Sequence, residues 1–211
     1  MKNNVQKILI LAPHTDDGEL GCGGSIARFI EEGKNVFYAA FSTAEKSVDS
    51  KLPNNILEIE VKAATKKLGI KRENLFIYNN EVRKLNYIRQ EILEELIKLK
   101  KKIDPDIIFM PSINDIHQDH STVAREGLRA FKDRTILGYE LIWNNITFNT
   151  STFIILQHNH VQSKVDALQE YKSQKDKAYM SQDFVFSLAK SRGVQIGKEF
   201  AECFEIIRWV M

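Results

Sequence analysis

Residues 9–24 read LILAPHTDDGELGCGG. The run Lys7–Ala12 stops at a histidine and two adjacent carboxylates, and glycines then crowd the start of a helical pattern. A continuous apolar run bounded by turn residues marks a strand covered on both faces, as in a parallel sheet. The turn after such a strand lies at its carboxyl end, where open α/β sheets collect ligands. His14, Asp16 and Asp17 are therefore expected to point into a crevice.

Outward from this stretch, strand-like and helix-like periods alternate. Gly23–Gly33 reads as a helix with Ile26, Phe29 and Ile30 on one side, and Val36–Phe41 as a second buried strand. Leu57, Val61, Ala64 and Leu68 keep helical spacing up to Gly69, and Asn74–Ile77 follows as a short strand. Leu85, Ile88, Ile92, Leu96, Leu99 and Ile103 mark a long amphipathic helix broken by Asp104–Pro105, before the strand Ile107–Met110. The closing ECFEIIRWVM reads as a strand, with Trp209 expected at a subunit contact. This order predicts a parallel α/β sheet with right-handed crossovers. The polar segments Ser42–Asn55 and Asn144–Ser151 lack a period and read as loops of the kind that border a site.

The chain of 211 residues is expected to form one domain over 1–211. Its 30 basic and 28 acidic side chains leave a net charge of +2, which gives no electrostatic case for a nucleic acid or an anionic membrane. Lys98, Lys100, Lys101 and Lys102 suit the dipole-complementing end of a helix. The opening MKNNVQKILILA lacks the pattern of a signal peptide, and no stretch reaches the length of a membrane span. Cys22 and Cys203 form no CxxC pair, so a reduced, cytoplasmic protein with a buried Cys22 thiol is expected.

A second stretch, PSINDIHQDHSTV at 111–123, follows the Ile107–Met110 strand just as PHTDD follows the first. Its helix is expected near Ser121, capped by Asp119 or Ser121. The two turns thus bring His14, Asp16 and Asp17 together with Asp115, His117, Asp119 and His120 at one end of the sheet. Two imidazoles and one carboxylate form a catalytic metal set that leaves open positions, and a water bound there is acidified to a pKa of about 7. Taken singly, each of these residues could as well cap a helix or sit solvated in a turn.

These two stretches resemble the motifs of the PIG-L, or LmbE-like, family of zinc-dependent N-acetylglucosamine de-N-acetylases. PHTDDGELGCGG is similar to the family's AHPDDExxxGG, HQDH (117–120) to its HxDH, and YKSQ (171–174) and RGVQIGKEFAECFE (192–205) to its C-terminal features. The resemblance implies a Rossmann-like, mostly parallel sheet flanked by helices. It implies Zn²⁺ on His14, Asp17 and His120, with Fe²⁺ as the other ion such a set holds. It also implies Asp16 as general base and His117 as the histidine that supports the transition state. The implied substrate is a small-molecule N-acetylated sugar conjugate of the GlcNAc type, and the implied assembly a homo-oligomer. Thr15 stands in place of the family's proline, and Gly18 separates the aspartates from Glu19. Where the thiol-precursor deacetylases carry a substrate-binding arginine three residues before a helical glutamate, Leu57 precedes Glu60. Arg83, Arg89 and Arg192 are the remaining candidates for holding a phosphate or carboxylate.

Two other readings stay open at this level. Strand, Gly21-Cys22-Gly23-Gly24 and helix suggest a nucleotide-binding oxidoreductase, although position 26 is Ile and two carboxylates would repel a pyrophosphate. A non-catalytic sugar-binding protein would keep the pocket without turnover.

Overall fold

The opening apolar run forms β1 (Lys7–Ala12), a central strand of a seven-stranded sheet. The computed structural model describes residues 5–210. The other strands are β2 (Asn35–Ala40), β3 (Leu75–Ile77), β4 (Ile107–Pro111), β5 (Thr135–Tyr139), β6 (Thr152–Leu156) and β7 (Phe200–Arg208). The helices are α1 (Asp17–Glu31), α2 (Ile56–Lys67), α3 (Arg89–Ile103), α4 (Gln118–Ala130), α5 (His158–Leu168) and α6 (Gln182–Val194). The spatial order is β3-β2-β1-β4-β5-β7-β6, and β7 alone runs against its neighbours.

Alternate residues of β1 feed opposite cores, as the two-residue period of a strand requires. Ile8, Ile10 and Ala12 pack with residues of α1, α2, α5 and α6, whereas Leu9 and Leu11 pack with those of α3 and α4. Each such Ile or Leu, fully buried, contributes about 1.5–3 kcal/mol of hydrophobic stabilisation. The chain leaves β1 for β2 and β3 on one side, then returns to place β4 on the other. The carboxyl ends of β1 and β4 therefore flank the point where the winding reverses, the crevice in which such sheets bind ligands.

Several elements start elsewhere than their sequence suggests. α1 begins at Asp17 rather than Gly23, so the glycines lie inside a helix and not in a loop before it. A Cβ at Gly18 would fall on the ring of Tyr38, and one at Gly21 on the ring of Tyr139. These glycines let α1 approach β2 and β5 closely, and they form no phosphate-binding loop. Cys22, buried and free, has non-helical backbone angles that kink α1. The groups freed there are taken up internally: Glu202 accepts from the Gly24 and Ser25 N–H groups at 3.1 and 2.7 Å, and Lys164 Nζ donates to the Leu20 carbonyl at 2.7 Å.

α3 starts at Arg89, after a separate 3₁₀ turn over Leu85–Tyr87, and the Leu85 N–H donates to the Asp119 carboxylate at 3.1 Å. α4 starts at Gln118, and neither Asp119 nor Ser121 caps it; His117 does, its Nδ1 accepting from the Asp119 N–H at 3.2 Å. The three lysines Lys100, Lys101 and Lys102 do occupy the last turn of α3. Trp209 lies just past β7 and is exposed, and Met211 falls outside the described residues. No helix among the described residues is long and apolar enough to cross a membrane.

Candidate active site

The turn after β1 is organised by its own backbone and by tyrosines beneath it. Asp17 Oδ2 accepts the His14 N–H at 2.8 Å, closing a tight carboxylate turn. The Thr15 carbonyl, where the related motif has proline, accepts hydroxyls from Tyr38 at 2.8 Å and Tyr171 at 2.7 Å. The turn after β4 is held by Asp115, whose Oδ1 accepts the His117 N–H at 2.8 Å.

Between these turns three donor atoms converge. His14 Nδ1, His120 Nε2 and Asp17 Oδ2 are each 3.2 Å from the other two. The opposite nitrogen of each imidazole faces a carboxylate: His14 Nε2 is 3.0 Å from Asp119 Oδ2, and His120 Nδ1 is 2.8 Å from Asp115 Oδ2. A proton donated along each of those bonds fixes the tautomer and leaves the lone pairs of His14 Nδ1 and His120 Nε2 aimed at one point.

The electrostatics follow from this crowding. Burial opposes charge on both imidazoles. Asp17 and Asp119 nevertheless raise His14 to about 9, and Asp17 and Asp115 raise His120 to about 10. Burial likewise opposes the charge on Asp17, yet His120 and His14 hold its carboxyl well below the ordinary range. Asp16 goes the other way, raised by burial and by its neighbour Asp17. His117 is lowered to about 4 by burial and by the imidazoles of His120 and His14. Because Nδ1 of this neutral ring accepts the cap bond, its proton sits on Nε2.

Two candidate ligand sets overlap here. His14, His117 and His120 have ligand atoms within 4.8 Å of one another. Donor atoms about 2.0–2.1 Å from a tetrahedral ion stand roughly 3.3 Å apart, so the tighter triangle with Asp17 suits a single ion better. His117 is also engaged at Nδ1 as the cap of α4.

The triangle opens into a pocket of about 420 Å³. Asp16, His117 and Arg83 line it, and both irregular segments contribute, Asp49 from one and Asn144 from the other. Arg89 and Arg192 lie elsewhere: Arg89 pairs with Glu126, and Arg192 with the buried Glu140. Leu57 lines the pocket, making that wall apolar. Sequence reasoning missed Trp143, Lys177 and Tyr179, which also line it. Trp143 stacks on Tyr179 with ring centroids 4.0 Å apart, and Lys177 Nζ lies 5.6 Å from the Tyr179 ring centre. These three belong to no motif or period, and only the folded chain places them together.

The PIG-L family, described as GlcNAc-PI de-N-acetylase, matches residues 9–131, more than half of the chain and both charged turns. The chain belongs to this family. Among relatives of PIG-L proteins, an uncharacterized deacetylase, YaiS, from Escherichia coli is 28% identical over 176 residues, covering 81% of this chain and 93% of the relative. A diacetylchitobiose deacetylase from Thermococcus kodakarensis is 27% identical over 136 residues, covering 61% of this chain and half of the relative's length. The conserved protein TT1542 from Thermus thermophilus superposes with a TM-score of 0.82 at 24% identity, covering 99% of this chain and 97% of the other. The Rossmann-like, mostly parallel sheet is thus the PIG-L fold, and the chain is an enzyme of a deacetylase family.

Proposed function

We propose that this PIG-L protein is a metal-dependent amidohydrolase that removes the acetyl group from an N-acetylated amino sugar of the GlcNAc type. One observation carries the reading: three donor atoms, two imidazole nitrogens and a carboxylate oxygen, meet at 3.2 Å separations beside an open pocket. The set fits Zn²⁺, with Fe²⁺ as the alternative, and His14, Asp17 and His120 would hold the ion. When bound, the metal supplies Lewis acidity, which sharpens a water as nucleophile and polarises the amide carbonyl.

The chain's own groups do the rest. Asp16 accepts a proton from the attacking water on a carboxylate oxygen and returns it to the amine nitrogen as the C–N bond breaks, leaving acetate and a free amine. His117 donates its Nε2–H to the carbonyl oxygen as negative charge builds there. Asp115 and Asp119 orient the two imidazoles. Trp143 and Tyr179 offer aromatic surface to the C–H face of a sugar ring. The names of the relatives, a chitobiose deacetylase among them, support the same substrate class.

The test is a panel of N-acetylated sugars scored for amine release, run beside elemental analysis of the protein. Asp16→Ala is expected to keep its metal while turnover falls about 10²–10⁴-fold. An Asp16→Ala protein working at the parental rate would overturn the mechanism. A metal-loaded protein that binds these sugars and releases no amine would instead mark it as a sugar-binding protein.

A further inference from the structure

The stretch YKSQ at 171–174 has no part in the chemistry above, yet the fold clamps it from two sides. The Tyr171 hydroxyl donates to the Thr15 carbonyl at 2.7 Å, tying the stretch to the turn that carries His14 and Asp16. The 3₁₀ turn Lys172–Gln174 is held from α2 by Glu60, which is 4% exposed. The Ser173 N–H donates to Glu60 Oε1 at 2.8 Å, and the Ser173 hydroxyl donates to Glu60 Oε2 at 2.6 Å. No basic side chain pairs with Glu60 among the described residues, so both oxygens of a buried carboxylate serve one serine. Apolar packing would join helix to turn without the desolvation penalty of a buried carboxylate. The turn therefore uses the carboxylate for its acceptors.

The hydrogens of this cluster can be counted. A serine hydroxyl has one hydrogen, and it goes to Glu60 because a carboxylate only accepts. The Ser173 oxygen keeps only lone pairs, and Gln174 Nε2 donates to it at 3.0 Å. An amide turned the other way would set Oε1 against that oxygen, acceptor against acceptor. Glu60 thus fixes, through Ser173, which end of the Gln174 amide is tied and which is free. Oε1 accepts no hydrogen bond among the described residues, and the half-buried Gln174 lines the pocket beside Ser173.

We propose that Gln174 reads a hydroxyl of the sugar by accepting its hydrogen at Oε1, and that Glu60 is a positioning residue that sets this polarity through Ser173; this rests on the deacetylase reading above. Leu57, one turn before Glu60 on the same face of α2, also lines the pocket. That wall therefore sets an apolar side chain beside an amide of fixed orientation. A sugar with a hydroxyl donor at this place is favoured over one with fluorine at the same carbon, which cannot donate. Losing the bond and leaving the amide oxygen unpartnered weakens binding about tenfold.

The experiment measures kcat and KM on the zinc-loaded protein for N-acetylglucosamine and its 3-, 4- and 6-deoxyfluoro analogues. The panel is repeated on Gln174→Ala, Ser173→Ala and Glu60→Gln, with thermal unfolding to confirm that each variant folds. On the parent, one analogue is expected to lose about tenfold, carried in KM with kcat unchanged. Gln174→Ala should show the same loss on the natural sugar and no further loss on that analogue. Glu60→Gln keeps the shape but donates to the Ser173 oxygen, so the serine hydrogen turns to Gln174 and the amide reverses. Its hydroxyl-to-fluoro ratio should fall toward one with kcat kept. A fall in kcat on every sugar with that ratio unchanged would make Glu60 purely structural and overturn the proposal. A parent ratio near one at all positions overturns it too. If Glu60→Gln does not fold, the ratio in Ser173→Ala, also expected to fall toward one, decides in its place. If no sugar releases amine, the deacetylase reading fails, and calorimetric binding of the same sugars to the parent and to Gln174→Ala still decides whether Gln174 reads a hydroxyl.

Discussion

Two buried charged networks flank α1, and they are built on opposite plans. At the kink, Lys164 Nζ donates to Glu202 at 2.7 Å, and Glu202 also accepts from Gly24, Ser25 and the Ser25 hydroxyl. That network is closed: cation, anion and freed backbone groups satisfy one another. At the helix's N-terminus, His14, His120 and Asp17 aim acceptors at a shared point, and Asp115 and Asp119 occupy only the far sides of the rings. Burial opposes charge on both imidazoles, and Asp17, Asp119 and Asp115 raise them in spite of it. A closed network stabilises a fold, whereas one that converges on a point is shaped for a cation.

This contrast can be broken experimentally. The largest effect is expected at the closed network. Lys164→Met would strand the Glu202 charge in a buried site, costing about 3–5 kcal/mol in denaturant unfolding, and added zinc would not restore it. Next comes metal-linked stability. Zinc at about 100 times its dissociation constant should add roughly 2.7 kcal/mol to the parent protein and none to His120→Ala, read from paired unfolding curves. Equal stabilisation of both proteins would show that the ion binds elsewhere. The smallest effect belongs to the orienting shell: Asp119→Asn should weaken zinc about 10–100-fold in a competition titration, with the fold intact.

The sequence carried the parts of this design that depend on local chemistry. β1 was legible because an apolar run ended abruptly in His14, Asp16 and Asp17, and β4 led in the same way into His117 and His120. The start of α1 reads as Gly23 from the sequence because the stretch before it is rich in glycine, whereas the helix begins at Asp17 and Gly18 and Gly21 admit Tyr38 and Tyr139 from distant strands. The start of α4 was hidden because a histidine caps it while the nearby aspartate is drawn away by Arg83, Leu85 and His14. β5, β6, α5 and α6 gave no reading from periodicity, and Trp143, Lys177 and Tyr179 lie in segments with none. Of the three arginines singled out, Arg89 and Arg192 are committed to Glu126 and Glu140, a matter of tertiary pairing that residue type does not disclose.

The Asp119 carboxylate has a consequence for anyone who would re-engineer this protein. One side chain bonds the backbone N–H groups of residues 83 and 85 and steadies His14. The segment at the mouth and the imidazole at the centre therefore behave as a single rigid part. Exchanging residues 79–88 for another enzyme's loop would transplant selectivity only if both N–H groups survived. Proline at either place would loosen the His14 ring along with the entrance.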